Sequence, residues 1–311
     1  TIRARVETAL KRAAKQPQDM RRAMLFLPGN NPNMLQNGDI LGADAIILDL
    51  EDAVSPDEKD AARILVRNAI RTLDYQGCEI IIRINAVDDT GFWKEDLDEV
   101  IPLKPDLIMP TKVSGAEYVR QVSRYMEEVE RRNGMEPGTV KLIPLIETTL
   151  GVENAFEIAR SDPRVVAMFL GAEDLTADMR CVRTKEGSEI AYARSRMVSA
   201  ARAAEIDVYD TPFTDVNDDE GLVADARLAK PLGFSGKASI SPRHVSGINQ
   251  VFSPTEKEIA YAREVLAIIE EAKAQGKGAV SLHGKMIDKP IVTRAQQVLA
   301  MAAAIGGGVQ A

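Results

Sequence analysis

AIILDLED, residues Ala45–Asp52, carries four apolar residues straight into a tip holding Asp49, Glu51 and Asp52. An apolar run this short, without the alternation of a half-exposed strand, is what a parallel strand buried on both faces requires. The same pattern recurs along the chain. It opens with MLFLPG at Met24–Gly29 and continues with EIIIRIN at Glu79–Asn85, LIMPTKV at Leu107–Val113 and KLIPLIET at Lys141–Thr148. AMFLGAED at Ala167–Asp174, VYDTPF at Val208–Phe213 and FSGKASISP at Phe234–Pro242 complete the set.

Helical patterns fall between the runs. Pro56–Ile70 follows Ser55, a candidate N-cap, and has acids in its first turn. Glu117–Arg132 ends before Gly134, a plausible C-cap, and Glu186–Ala204 is rich in Ala and Arg. Eight strands alternating with helices predict an α/β fold, a closed (β/α)8 TIM barrel with a C-terminal helical extension. An open doubly wound sheet is the alternative, and no GxGxxG loop follows any strand to favour it. The predicted boundaries are an N-terminal helical arm over 1–20, the barrel over 21–250 and a helical extension with a lid segment over 251–311. That last part reads as helices at Glu256–Ala274 and Thr293–Ala304 flanking SLHGKMIDKP at Ser281–Pro290, an appendage without a second core.

Composition narrows the chemistry. A formal net charge of −8 disfavours nucleic acid and anionic membrane surfaces as partners. No apolar run approaches a membrane span, and the opening Thr1–Lys15 reads as a short surface helix rather than a targeting segment. Cys78 and Cys181 have no metal-type spacing and suit a reducing cytoplasm. With only two histidines, His244 and His283, acid–base or metal chemistry must rest on the 47 carboxylates. Both histidines read as bystanders.

In a barrel the active site lies at the C-terminal strand ends, so the polar tips are the candidates. Glu147 and Asp174 end adjacent predicted strands, and two carboxylates plus waters and substrate oxygens suit magnesium (Mg2+). They could instead cap helices or pair with Arg83 and Lys112, and Glu173 could replace Asp174. Arg83, after three isoleucines, would point its planar fork into the barrel mouth toward a substrate carboxylate or an enolate oxygen. The competing role is an ion pair with Asp49 or Glu51. Lys112 is a less specific cation of the same kind. Asp49, Glu51 and Asp52 could orient ligands and metal waters from behind, with at least one of them serving only as a helix cap. Pro28 and Gly29, in the first strand-to-helix turn, would offer backbone N–H groups near the site, a weak signal.

At these residues the chain resembles the citrate lyase beta subunits, within the wider malyl-CoA lyase group. The resemblance runs from about Arg21 to Arg294 through MLFLPGNNPNM, DLEDAV, RINA, IET, GAEDLTADMR, GFSGKASISPR and SLHGKMIDKP. It implies magnesium on Glu147 and Asp174, favours Asp174 over Glu173, and places the family's substrate-binding arginine at Arg83. It implies that Asp288, in the late GKMID segment, reaches a neighbouring subunit's site as an acid–base group, hence a homo-oligomer, commonly a trimer. The family often carries Asn where this chain has Ser241, which touches none of the assigned residues. The implied reaction is cleavage of a citryl thioester, on CoA or on an acyl carrier protein (the gamma subunit), with a transferase alpha subunit as further partner. A malyl-CoA or citramalyl-CoA lyase or thioesterase is the nearest alternative. An aldolase acting on free 2-keto acids and a non-enzymatic scaffold subunit stand further off.

Overall fold

A computed structural model of the chain describes residues 20–75, 77–88, 90–274 and 280–307. The arm expected over residues 1–20 lies, all but its last residue, outside the described residues. The described chain divides between Asn249 and Gln250 into two compact units.

The first unit is built on parallel strands β1 (Ala23–Pro28), β2 (Ala45–Asp49), β3 (Glu79–Arg83), β4 (Leu107–Met109), β5 (Lys141–Leu142), β6 (Leu145–Ile146), β7 (Ala167–Leu170), β8 (Asp207–Asp210) and β9 (Gly236–Ser239). Their order in the sheet is β5-β4-β3-β2-β1-β9-β8-β7-β6. The two ends of that list are neighbours in sequence, because β5 and β6 are one expected strand interrupted at Ile143–Pro144. Pro144 has no N–H to give to a ladder. Bonding nonetheless continues on both sides of the interruption. Ile143 N–H donates to Ile108 O (2.9 Å) and Leu145 N–H to Pro110 O (2.9 Å), while Val166 N–H donates to Leu142 O (3.1 Å) and Phe169 N–H to Pro144 O (3.0 Å). The ring therefore closes, and the barrel has eight strands with the fifth in two pieces.

The observed strands are shorter than the apolar runs because the polar tips turn away into loops. β7 stops at Leu170, so Glu173 and Asp174 sit in the first turn of the helix Ala172–Asp178 rather than on a strand. Ser55 does not cap its helix. A 3-10 turn at Pro56–Glu58 intervenes before the helix Lys59–Thr72, and the Ser55 side chain makes no capping hydrogen bond. Gly134 does lie just past the end of the helix Ala116–Arg132, at φ 65.

Strand side chains alternate inward and outward. Met24, Ala45, Ile47, Ile81, Leu107, Met109, Leu145, Ala167, Phe169, Tyr209 and Ala238 form the buried barrel interior. At the opposite end from the mouth, Arg21 makes a fully buried ion pair with Glu79 and lies 3.3 Å from the Tyr209 hydroxyl. Between barrel and helices, Asp210 pairs with both Arg194 (2.8 Å) and Lys237 (2.7 Å), all three completely buried. Removing any one of them would strand a buried charge.

The second unit contains the helices Glu256–Ala274 and Lys289–Gly307 and the antiparallel hairpin β10 (Val280–Leu282) with β11 (Lys285–Ile287). His283 and Gly284 form its tip at φ 50 and φ 77, the left-handed pair that a tight primed turn demands. Contrary to the expectation of a tail without a core, Ala262, Val265, Ile287 and Ala295 pack into a small apolar cluster. No helix among the described residues is long and apolar enough to cross a membrane.

Candidate active site

The inward alternation that fills the barrel also sets the mouth. One step beyond Ile47 is Asp49, beyond Ile81 is Arg83, beyond Leu145 is Glu147, beyond Phe169 is Gly171 and beyond Tyr209 is Thr211. These residues line a cavity of about 440 Å³, with Phe26 and Phe169 as its apolar floor and Asp174 on its wall.

Arg83 makes the expected ion pair with Asp49 and Glu51 and also lines the cavity. Its Nε donates to Asp49 Oδ1 at 2.7 Å, Nη2 donates to Asp49 Oδ2, and Nη1 lies 3.2 Å from Glu51 Oε2. Its guanidinium also stands 5.1 Å from the centre of the Phe26 ring, so it lines the cavity while its fork is held from behind. Asp49 does more than hold Arg83. It accepts the N–H of Glu51 at 2.8 Å and of Ala53 at 3.3 Å, which folds the DLEDAV turn.

Lys112 is the hub that its sequence context only faintly signals. Its Nζ donates to Glu51 Oε1 at 2.6 Å and lies 3.7 Å from Asp52 and 3.6 Å from Asp174. Its backbone is left-handed at φ 53, costly for a residue with a Cβ, and that turn aims its N–H at Glu147 Oε1, 2.7 Å away. Burial works against the Lys112 ammonium, yet the hydrogen bond it donates to Glu51 and the three nearby acids hold it above the ordinary lysine range.

Glu147 is 4% exposed. Burial, reinforced by the charges of Asp174 and Glu51 and only partly offset by the Lys112 N–H and Arg83, pushes its carboxyl up to about 8. Burial likewise raises Glu51, although Arg83 and Lys112 oppose it. Asp174 is half-exposed and faces Lys112, whereas Glu173 lies 3.5 Å from Arg183. Gly171 permits this packing, since a Cβ there would meet Glu147 Cβ at 2.8 Å and Oε2 at 2.9 Å. Thr211 Oγ1 accepts the Ala172 N–H at 3.0 Å and fixes the start of the helix bearing Asp174.

The first strand-to-helix turn is built otherwise than expected. Gly29 does not offer its N–H to the cavity, because that group donates to Asp49 O at 2.8 Å. A Cβ at Gly29 would lie 2.5 Å from the same oxygen, so the glycine is there for close approach. Pro28 lines the cavity but has no N–H. Asp288 belongs to the second unit and caps its last helix, Oδ1 accepting the Ile291 N–H at 3.2 Å. His244 is fully buried beside Phe213, with neither ring nitrogen partnered among the described residues, and burial lowers its pKa. His283 pairs with Glu264 at 2.7 Å in the second unit.

Sequence reasoning missed Lys59, Thr211 and Gly171. Lys59 Nζ, buried at the start of its helix, donates to the carbonyls of Leu50 (2.8 Å) and Glu51 (2.7 Å) and so anchors the acidic turn. The period-2 extension of the core pattern would have found Gly171 and Thr211. Nothing local marks Lys59.

The residues fit a divalent cation. Among the described residues no three His, Cys, Asp or Glu side chains gather as a metal cluster, so a cation held by fewer carboxylates would take the rest of its shell from water and substrate oxygens. Glu147 and Asp174 line the same cavity as a pair, and burial first, then the charges of Asp174 and Glu51, raise the Glu147 carboxyl. A hard cation held by one or two carboxylates, with waters and substrate oxygens completing its shell, is what this arrangement suits.

Comparison with known proteins gives the family. Residues 22–242 match the model of the HpcH/HpaI aldolase/citrate lyase family. The chain belongs to that family. It is 45% identical over 283 residues to the citrate lyase subunit beta of Leuconostoc mesenteroides subsp. cremoris, covering 91% of this chain and 93% of that one. It is 36% identical over 307 residues to an L-malyl-CoA/beta-methylmalyl-CoA lyase of Cereibacter sphaeroides, covering 92% and 96%. Among solved structures, protein CitE from Mycobacterium tuberculosis in complex with magnesium, acetoacetate and coenzyme A superposes with a TM-score of 0.75 at 29% identity, over 93% of this chain and all of that one.

Proposed function

We propose that this chain is a magnesium-dependent lyase that cleaves a citryl thioester to oxaloacetate and an acetyl thioester. The observation that carries the reading is the Glu147–Asp174 pair beside a pre-oriented Arg83 in one cavity. The 45% identity to a citrate lyase subunit beta supports the substrate, and the magnesium and coenzyme A of the Mycobacterium tuberculosis complex support the cofactor and the thioester.

In this reading Glu147 and Asp174 hold the metal, with Asp49, Glu51 and Asp52 behind the site. Bound there, magnesium would polarise the substrate hydroxyl and the neighbouring carboxylate. A general base takes the hydroxyl proton, the bond between the hydroxyl-bearing carbon and the thioester methylene breaks, and the electron pair passes into the acetyl-thioester enolate. Oxaloacetate keeps the former hydroxyl oxygen as its ketone. Arg83, its fork fixed by Asp49, is oriented toward the oxygen on which charge grows. Lys112 keeps Glu147 in place through its backbone N–H and balances the surrounding acids through its ammonium. Asp288, from a neighbouring copy in a homo-oligomer, commonly a trimer, supplies the proton that converts the enolate to the acetyl thioester. The carrier is CoA or an acyl carrier protein acting as gamma subunit, with a transferase alpha subunit upstream.

The 36% identity to a malyl-CoA/beta-methylmalyl-CoA lyase supports a second reading, the same chemistry on a smaller hydroxyacyl group. Product analysis separates the two. Oxaloacetate from citryl-CoA supports the first; glyoxylate from malyl-CoA with no turnover of citryl-CoA replaces it with the second.

A further inference from the structure

Lys59 lies outside the cavity that holds Arg83 and the carboxylate pair, and it is placed at a cost. It is 8% exposed and opens the helix Lys59–Thr72, where the positive end of the helix dipole opposes a cation. Burial lowers its pKa, against the pull of Glu51, Asp96, Asp49 and Asp52. A methionine would fill this space with no charge to desolvate. The ammonium is therefore there for what it bonds.

Its two acceptors are carbonyls whose peptide units end in N–H groups of consequence. The unit that carries Leu50 O also carries the Glu51 N–H, and the unit that carries Glu51 O also carries the Asp52 N–H. In a trans peptide the two groups point in opposite directions. Lys59 Nζ holds the carbonyl ends at 2.8 Å and 2.7 Å. At the far ends, the Glu51 N–H donates to Asp49 Oδ1 at 2.8 Å and the Asp52 N–H to Glu51 Oε2 at 3.0 Å. Those same two oxygens meet Arg83. Asp49 Oδ1 accepts Arg83 Nε at 2.7 Å, and Glu51 Oε2 lies 3.2 Å from Nη1. Two relays, each through one peptide unit, thus connect the ammonium on one side of the turn to the guanidinium on the other. A cation on the carbonyl polarises the peptide and strengthens its N–H as a donor to the carboxylate.

We propose that Lys59 is a positioning residue for the cleavage step, fixing the two carboxylate oxygens that orient the Arg83 fork. The inference rests on the lyase reading and adds what holds Arg83 in place from beyond the cavity. Without the ammonium both peptide units are free to tilt, and Asp49 and Glu51 turn with them. Arg83 then keeps its partners but loses its aim. Because that aim serves an oxygen on which charge grows during the reaction, the loss falls on kcat more than on KM.

The test is a double-mutant cycle on the full chain with magnesium, following cleavage of citryl-CoA and of malyl-CoA. Lys59→Met is expected to lower kcat about tenfold with KM within about twofold of wild type. In the Arg83→Lys background the same substitution should change kcat by less than about twofold, because the fork it positions is gone. An equal factor in both backgrounds overturns the proposal, since a merely structural lysine would cost the same with or without the fork. So does a wild-type kcat in Lys59→Met. Lys59→Gln, which keeps one donor and loses the charge, carries the same cycle at smaller amplitude should Lys59→Met fail to fold. Amide exchange followed by NMR reads the positioning without turnover. The Glu51 and Asp52 N–H groups should exchange about tenfold faster in Lys59→Met, with the Ile47 and Leu48 amides of β2 unchanged. Unchanged exchange at Glu51 and Asp52 overturns the proposal. Cleavage of neither thioester by the wild type overturns the lyase reading instead, and the exchange measurement then still decides whether Lys59 holds the turn.

Discussion

Glu147→Gln isolates the electrostatic strain in the candidate metal site. Burial and the neighbouring acids carry Glu147 from the ordinary 4.5 to about 8. A carboxyl with a raised folded-state pKa binds its proton more tightly when folded than when unfolded. The Glu147 contribution to the stability of the metal-free protein is therefore most favourable below pH 4.5, falls as pH rises toward 8, and is level above that. Each unit is worth about 1.4 kcal/mol, so the cost is roughly 3 kcal/mol at pH 7 and on the order of 5 kcal/mol at pH 9. Glutamine keeps the shape and the oxygen that accepts the Lys112 N–H, but has no charge to desolvate. Urea unfolding in EDTA at pH 5, 7 and 9 reads the difference between wild type and variant. The variant should match the wild type within about 1 kcal/mol at pH 5 and exceed it by several kcal/mol at pH 9. Magnesium at pH 9 should stabilise the wild type and leave the variant unmoved. A difference that does not change with pH would refute the reasoning, because it would place the Glu147 carboxyl in a well-solvated or neutralised setting.

Arg83→Lys loses the fork that Asp49 orients and should lower kcat by about 10²- to 10³-fold, with a thermal midpoint close to wild type; an unchanged rate would remove Arg83 from the chemistry. Lys112→Met removes a cation 3.6 Å from Asp174 and should tighten magnesium binding about tenfold in a calorimetric titration; weaker binding would show that the ammonium supports the metal site. Gly171→Ala drives a methyl into Glu147 and should abolish magnesium binding, while Gly115→Ala, whose Cβ meets nothing closer than 3.9 Å, should bind normally. Asp288→Asn mixed with an Arg83→Ala variant should regain activity in hetero-oligomers if Asp288 serves a neighbouring copy. No recovery would confine it to its own chain or exclude it.

The barrel was legible because its signal is repeated. Each apolar run ends in a polar tip, and an error in any one strand does not disturb the count. The fifth strand illustrates the limit, since KLIPLIET reads as one element and Pro144 splits it while its neighbours' hydrogen bonds hold the ring closed. Asp49, Arg83 and Glu147 continue the inward period of Ile47, Ile81 and Leu145, so their convergence follows from register alone. The positions of Glu51, Asp52 and Lys112 depend on loop conformation, which no periodicity encodes. A left-handed lysine gives no sign of itself in sequence, and Lys59 acts across a turn from a helix whose Ser55 start signal misled. Gly29 was read as an N–H donor because turn chemistry and close approach ask for the same residue. Asp288 was named through family resemblance alone; its own surroundings in the second unit describe only a helix cap.

The central claim is tested most directly by following oxaloacetate release from citryl-CoA by the purified chain, with magnesium and with EDTA, beside the Glu147→Ala variant. The account predicts release that requires magnesium and disappears in Glu147→Ala. Release at an equal rate in EDTA, or from Glu147→Ala, would contradict it.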